Sequence, residues 1–441
     1  MRSTTAAETP RESRAPAPAP AERLAIVIPS ENPQPGRDSL RRTLSLVGIA
    51  TFATTFGNPL VIGSIPFSLT LKDDLGVGPL GIAMFFLTAA IFWYLKPLIG
   101  LAIDRTVPRQ SFARALVVFA IVAEVVWVVI AFVPASYASL LLGAISLNGA
   151  IAAASSIAGG LVVESGQAHS ATGRTNAASM SLRHVGYIGA GLLSGYLAVW
   201  PIGILCRIGA ATMAILAISA LILAPKKTEE ATAPAAETFA WRQIFASRPL
   251  MMVALMAFLL EVAPGFNTPL LFLQRDVLHF GPEFLGWLTV VASVAGIAGA
   301  LLYTVLCKRM SIYAILVVTI ALEAMTTMGY LFYSNADAAI VLTLLKGVAT
   351  TLALMPILDL AARATPRLVA CGGFALIMSV QRLSTHLSDV SGSWLTDHFA
   401  ISFPHLVWIN AITSLAIIAV IPFIPAVIAA RREGEQTPAT A

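Results

Sequence analysis

The chain has 441 residues, of which 57% are hydrophobic and only 12% charged. Soluble domains carry roughly 25% charged residues, so a globule of this composition would precipitate unless lipid solvated it. The basic balance of +5 does not point to nucleic acid, because the basic residues sit in short loops between apolar runs rather than in one patch.

A spanning helix needs about 20 apolar residues, and such runs fill nearly everything from Leu44 to Ala430. Residues 1–43, rich in Pro, Ala and Arg without periodicity, read as a disordered N-terminal tail. Spans are expected at about 44–69, 79–101, 112–133, 137–163, 176–199 and 202–224. A polar linker, 225–247, follows, with Lys226-Lys227, Glu229-Glu230 and Pro234. Six further spans are expected at about 249–273, 284–306, 312–333, 338–361, 369–395 and 403–428, and residues 431–441 form a second tail. The expected fold is therefore an all-α membrane protein of twelve transmembrane helices, in two six-helix pseudo-symmetric halves, 44–224 and 248–430.

The halves repeat. The stretch Pro66-Phe67-Ser68-Leu69-Thr70-Leu71-Lys72-Asp73 precedes Gly78-Pro79, and Pro269-Leu270-Leu271-Phe272-Leu273-Gln274-Arg275-Asp276 precedes Gly281-Pro282, at an offset of 203. Met180-Ser181 recurs as Met378-Ser379, Ser194-Gly195 as Ser391-Gly392, and Glu124 as Glu323. Several matches in one order argue for duplication. An even number of spans per half makes the repeats parallel. The two tails and the even-numbered loops hold 22 of the 28 Lys and Arg, and the odd-numbered loops only Lys72 and Arg275. That bias places both termini in the cytoplasm of a multi-pass protein of the inner membrane.

Cys206, Cys307 and Cys371 are isolated, and His169, His184, His279, His386, His398 and His405 form no metal spacing. No phosphate-binding glycine loop appears. The sequence thus calls for no metal, no cofactor and no enzyme activity. Gly191-x-x-x-Gly195 reads as a helix contact inside the bundle rather than an oligomer interface, consistent with a monomer.

After span two the chain reads Lys96-Pro97-Leu98-Ile99-Gly100, then Asp104-Arg105 and Val107-Pro108-Arg109. Gly100, Asp104, Arg105 and Arg109 resemble the major facilitator signature G-x-x-x-D-R-x-x-x-[RK]. The Lys-Pro-Leu start, Val162-Val163-Glu164, Phe280-Gly281-Pro282-Glu283, Met355-Pro356 and Phe374-Ala375-Leu376-Ile377-Met378-Ser379 resemble the folate-biopterin transporter family within that superfamily. The resemblance covers roughly 45–425. It implies alternating access, a small-molecule substrate of organic-anion type such as a pterin or folate, a coupling ion such as a proton, and gating by Gly100, Asp104, Arg105 and Arg109. It also implies a cavity lined by spans one, four, seven and ten. The sequence departs from that family at Ser155, Gly159 and Ala370, where acidic residues are usual. Those departures bear on substrate and coupling, not on fold. They also leave open a second class of function, a membrane assembly factor or receptor that kept the fold without transport.

A charge in mid-span costs about 2.5–3.5 kcal/mol on insertion scales, so each is a candidate for function. Arg183 and Arg382 occupy nearly equivalent places in the two halves and point to an anion site, because a guanidinium fork matches carboxylate or phosphate. Arg382, His386 and Asp389 share one helix face, and an internal Arg382–Asp389 pair is the competing reading. Glu261 and Lys346 lie on expected cavity spans, with an interhelical ion pair as the alternative. Asn58 and Asn267 stand beside prolines that free backbone carbonyls. These eight residues are the expected substrate contacts.

Overall fold

In a computed structural model, residues 37–107, 111–168, 172–223, 247–364 and 370–423 are described. The tails, Arg109 and nearly all of the linker lie outside them.

Among the described residues the helices fall into twelve segments. The first six are α1 (Arg37–Phe56, resuming at Ser64–Leu69), α2 (Pro79–Ala89, Ile91–Tyr94 and Lys96–Thr106), α3 (Phe112–Phe132), α4 (Tyr137–Ala168), α5 (Thr172–Leu197) and α6 (Ile202–Leu223). The second six are α7 (Arg248–Glu261, resuming at Asn267–Phe272), α8 (Pro282–Arg309), α9 (Ile312–Gly329), α10 (Ala336–Ala364), α11 (Ala370–Phe399) and α12 (Phe403–Ala416). Seven stretches, in α3, α4, α6, α8, α9, α10 and α12, are long and apolar enough to cross a membrane unaided. Absent from that group are the broken α1, α2 and α7, and also α5 and α11, which carry Arg183 and Arg382. Large apolar side chains such as Val125, Phe132, Leu221, Ile222 and Leu301 face outward. Water would not tolerate that surface, whereas the hydrocarbon of a bilayer does.

The duplication read from the sequence recurs in backbone detail. After the shorter pieces of α1 and α7 come π-helical turns, Thr70–Asp74 and Leu273–Val277, 203 residues apart. They close with matching hydrogen bonds, Val77 N–H to the Leu71 carbonyl and Phe280 N–H to the Gln274 carbonyl, both 2.8 Å. Pro79 and Pro282 then start α2 and α8 in the first helical turn, where a missing N–H costs nothing.

The breaks in α1 and α7 expose backbone polar groups that neighbouring helices must satisfy. At the α1 break Asn58 Oδ1 accepts the Leu60 N–H at 2.8 Å, and Trp127 Nε1 of α3 donates to the Gly57 carbonyl at 3.3 Å. At the α7 break Gly265 N–H donates to the Ser388 carbonyl of α11 at 2.8 Å, and Asn410 Nδ2 of α12 donates to the Pro264 carbonyl at 2.8 Å.

The halves meet along α5 with α8 and along α2 with α11. Glycine makes the first seam possible. A methyl group added at Gly286 would sit 2.8 Å from the Gly191 carbonyl oxygen and 3.0 Å from Gly195 Cα. The Gly191-x-x-x-Gly195 pair therefore serves a contact between the halves, inside the bundle.

Candidate functional site

One cavity lies between the halves, walled by Thr54, Asn58, Trp93, Ser155, Arg183, Tyr187 and Arg382 among others. Its walls come from α1, the break after Asn58, and helices α2, α4, α5 and α11. Both arginines singled out by symmetry reach it, one from each half, and Asn58 joins them. Water-sized space inside amounts to about 30 Å³, so a solute enters only when the halves move apart.

Trp93 is the fixed element of this wall. Its Nε1 donates to Asn148 Oδ1 at 2.7 Å, and its carbonyl accepts from Ser379 Oγ at 3.0 Å. The Arg382 guanidinium carbon lies 5.8 Å from the indole centroid, within cation–π range. Lys96 lies 5.0 Å from the same ring and donates to Ser155 Oγ at 3.0 Å. Counted by sequence among the loop charges, Lys96 in fact starts the last piece of α2, after the break at Leu95, and its ammonium reaches the cavity wall. Among the described residues the ion pairs are Lys72–Asp73, Lys72–Asp276, Arg275–Asp73 and Lys346–Glu323, none of which involves Lys96, Arg183 or Arg382.

The expected partner of Arg382 is engaged elsewhere. Asp389 Oδ1 accepts the Thr268 N–H at 2.9 Å and Oδ2 accepts the Thr268 hydroxyl at 2.5 Å. It thereby caps the resumed piece of α7, where unpaired N–H groups and the helix dipole favour a carboxylate. Asn267, the first residue of that piece, is exposed and does not line the arginine cavity. His386 sits against Tyr94 at 6.1 Å between ring centroids, and its Nε2 is buried without a hydrogen bond.

Glu261 and Lys346 belong to a second constellation within the later half. The Lys346 ammonium lies 2.6 Å from Glu323 and donates to Thr327 at 2.8 Å. Glu323 also accepts from the Thr350 hydroxyl at 3.1 Å. Glu261 shares a cavity with Glu323, Thr350 and Gln381, and Gln381 Nε2 approaches it at 3.4 Å. In the sequence Glu323 stands out only as the repeat of Glu124, and its helix is not among the implied cavity spans. Its side chain nevertheless reaches the Lys346 side of α10.

At the Lys72 end of the bundle the repeated dipeptides Lys72-Asp73 and Arg275-Asp276 cross-pair. Lys72 meets Asp276 at 2.5 Å and Arg275 meets Asp73 at 3.2 Å, so each half's cation holds the other half's carboxylate. Burial alone would lower the Lys72 ammonium, but its hydrogen bonds and attraction to Asp276 and Asp73 hold it above the ordinary lysine value of 10.5. A raised pKa means Lys72 keeps its charge through neutral pH and loses its part in the pairs as pH rises through that raised value. Exposed pairs contribute about 0.2–1 kcal/mol each. We expect Asp73→Asn with Asp276→Asn to part this end, raising labelling of a Leu69→Cys probe by an impermeant reagent about fivefold, near 1 kcal/mol. Unchanged labelling would show that the network does not hold the halves together.

In the Asp104 region, Gly100, Asp104 and Arg105 all lie in the last piece of α2, with Gly100 facing open space and Arg105 exposed. Residues 60–439 match the profile of the BT1 family. The chain belongs to that family. A folate-biopterin transporter from Synechocystis is 28% identical over 394 residues, covering 83% of this chain and 78% of that protein. Solved structures share the fold: a D-xylose-proton symporter (TM-score 0.68, 13% identity, 86% of this chain and 97% of that one) and the nucleoside transporter NupG (TM-score 0.67, 14% identity, 87% and 98%). The xylose transporter XylE of E. coli in an inward-open conformation aligns at TM-score 0.65, with 12% identity over 90% and 98% of the two chains. The BT1 chain is thus an integral, multi-pass membrane protein of the major facilitator fold.

Proposed function

We propose that this secondary transporter carries a small organic anion of pterin or folate type by alternating access about the cavity between its halves, with Arg183 and Arg382 binding the substrate's negative charge. One observation carries the reading. Guanidiniums from the two halves face one cavity, and no carboxylate among the described residues pairs with them. Closing around an anion brings both forks onto it, which gives the substrate a differential affinity for the closed state. The named relative supports the pterin or folate class. Glu261, half-buried beside a pair in which Lys346 already neutralises Glu323, is the place for a coupling proton in this reading.

Purified protein in liposomes is expected to accumulate labelled folate or a pterin against empty-liposome controls. In the same assay Asp104→Asn is expected to run about tenfold slower at equal expression, since the gate would lose a charge-assisted bond of roughly 1.5 kcal/mol. No uptake of any pteridine or other organic anion would favour a receptor or assembly role instead, and full speed in the Asn variant would remove Asp104 from gating.

The charge bias of the loops supports both termini being cytoplasmic in an inner-membrane protein, and the use of Gly191 and Gly195 within the bundle supports a monomer. Single cysteines Thr232→Cys and Asp74→Cys in a cysteine-free background are expected to label from opposite sides. Labelling from one side would overturn the topology.

A further inference from the structure

The cavity holds more positive charge than a single carboxylate can answer. Arg183 and Arg382 line it, and the Lys96 ammonium reaches its wall through Ser155 and the face of Trp93. Among the described residues no carboxylate pairs with Lys96. Neighbouring acids are committed elsewhere: Asp389 to Thr268, and Glu323 to Lys346 and Thr350. Three cations gathered in low dielectric without a counter-charge are costly, and a bound anion relieves that cost in proportion to its own charge. Lys96 has donors to spare, because an ammonium carries three and Ser155 uses one.

We infer that Lys96 is a third substrate contact, and that with the locked Trp93 ring it makes this site select a flat aromatic solute bearing two negative charges over the neutral or singly charged solute of the same ring. The two guanidiniums answer one carboxylate, bidentate geometry suiting each fork. Lys96, a compact point charge, answers a second one at a less defined distance. Trp93 offers a ring held by its Nε1 bond to Asn148, on a backbone whose carbonyl accepts from Ser379. Between the two cations that approach it, the indole gives a planar solute a surface to stack on. This inference rests on the organic-anion reading above and specifies its charge.

A charge series on one ring tests it: biopterin is neutral, pterin-6-carboxylate carries one charge and folate carries two carboxylates. Calorimetry with detergent-purified protein is expected to show affinity rising at each step, with folate on the order of tenfold tighter than pterin-6-carboxylate. Lys96→Gln is expected to remove folate's advantage over pterin-6-carboxylate, and Lys96→Arg to keep most of it. A folate advantage that survives Lys96→Gln overturns the proposal while leaving the anion-transport reading in place, and biopterin binding as tightly as folate overturns both. Failure of all three to bind overturns the pterin reading and this proposal together. Each variant's measured binding of pterin-6-carboxylate reports that it is folded.

Discussion

Arg382→Ala is expected to weaken binding of an anionic pteridine by roughly 30- to 150-fold, and Arg183→Ala by a similar factor. A charged hydrogen bond in a closed site contributes about 2–3 kcal/mol, and each roughly 1.4 kcal/mol is a factor of ten. The double variant is expected to fall short of the product, because one guanidinium left alone can still take the carboxylate. Arg183→Lys keeps the charge and loses the fork, so it is expected to fold normally and bind about tenfold more weakly. Arg382 sits over Trp93 and pairs with no acid among the described residues, so its removal leaves no orphaned carboxylate there to unfold the protein. Titration by calorimetry reads all four variants. Unchanged affinity in well-folded Arg183→Ala and Arg382→Ala proteins would end the anion-site account.

Asp389→Ala is expected to destabilise the fold by about 3 kcal/mol, seen as a lower unfolding midpoint in detergent. The aspartate satisfies the Thr268 N–H and hydroxyl at the start of the resumed α7, and buried donors left without a partner cost about 1–3 kcal/mol each. Asp389→Asn keeps an acceptor and loses the charge, so about half of that loss is expected. If Asp389 instead served Arg382 as an ion-pair partner, removing it would rescue Arg382→Ala. The observed hydrogen bonds predict no rescue and losses that add. Restored folding in the double variant would show that the pair exists in another state of the transport cycle.

These two residues also mark how far the sequence could be read. Hydropathy found the helices because a bilayer demands long apolar runs. The 203-residue repeat surfaced as paired π-helical turns because each half solves the same problem of ending its broken first helix. Arg183 and Arg382 were legible for the same reason, as costly charges at matched places. Asp389 was misleading: its i+7 spacing puts it on the Arg382 face, but its partner is a backbone N–H that is free only because α7 breaks, and no spacing on α11 reveals that. Lys96 was hidden by its place at the end of an expected span, beside the Asp104 signature, where loop charge is ordinary. The break at Leu95 turns it inward, and Trp93 three residues earlier was the available signal. Glu323 escaped because its helix is not among the implied cavity spans, although a glutamate reaches well past its own helix surface to Lys346.

The most direct test of the central claim is the structure of this protein with bound folate by single-particle electron microscopy. The account predicts a carboxylate within about 2.7–3.2 Å of both the Arg183 and Arg382 guanidiniums, with the pteridine or benzoyl ring against Trp93. Density for folate beside Glu261 and Lys346, with both guanidiniums left without an anion, would contradict it.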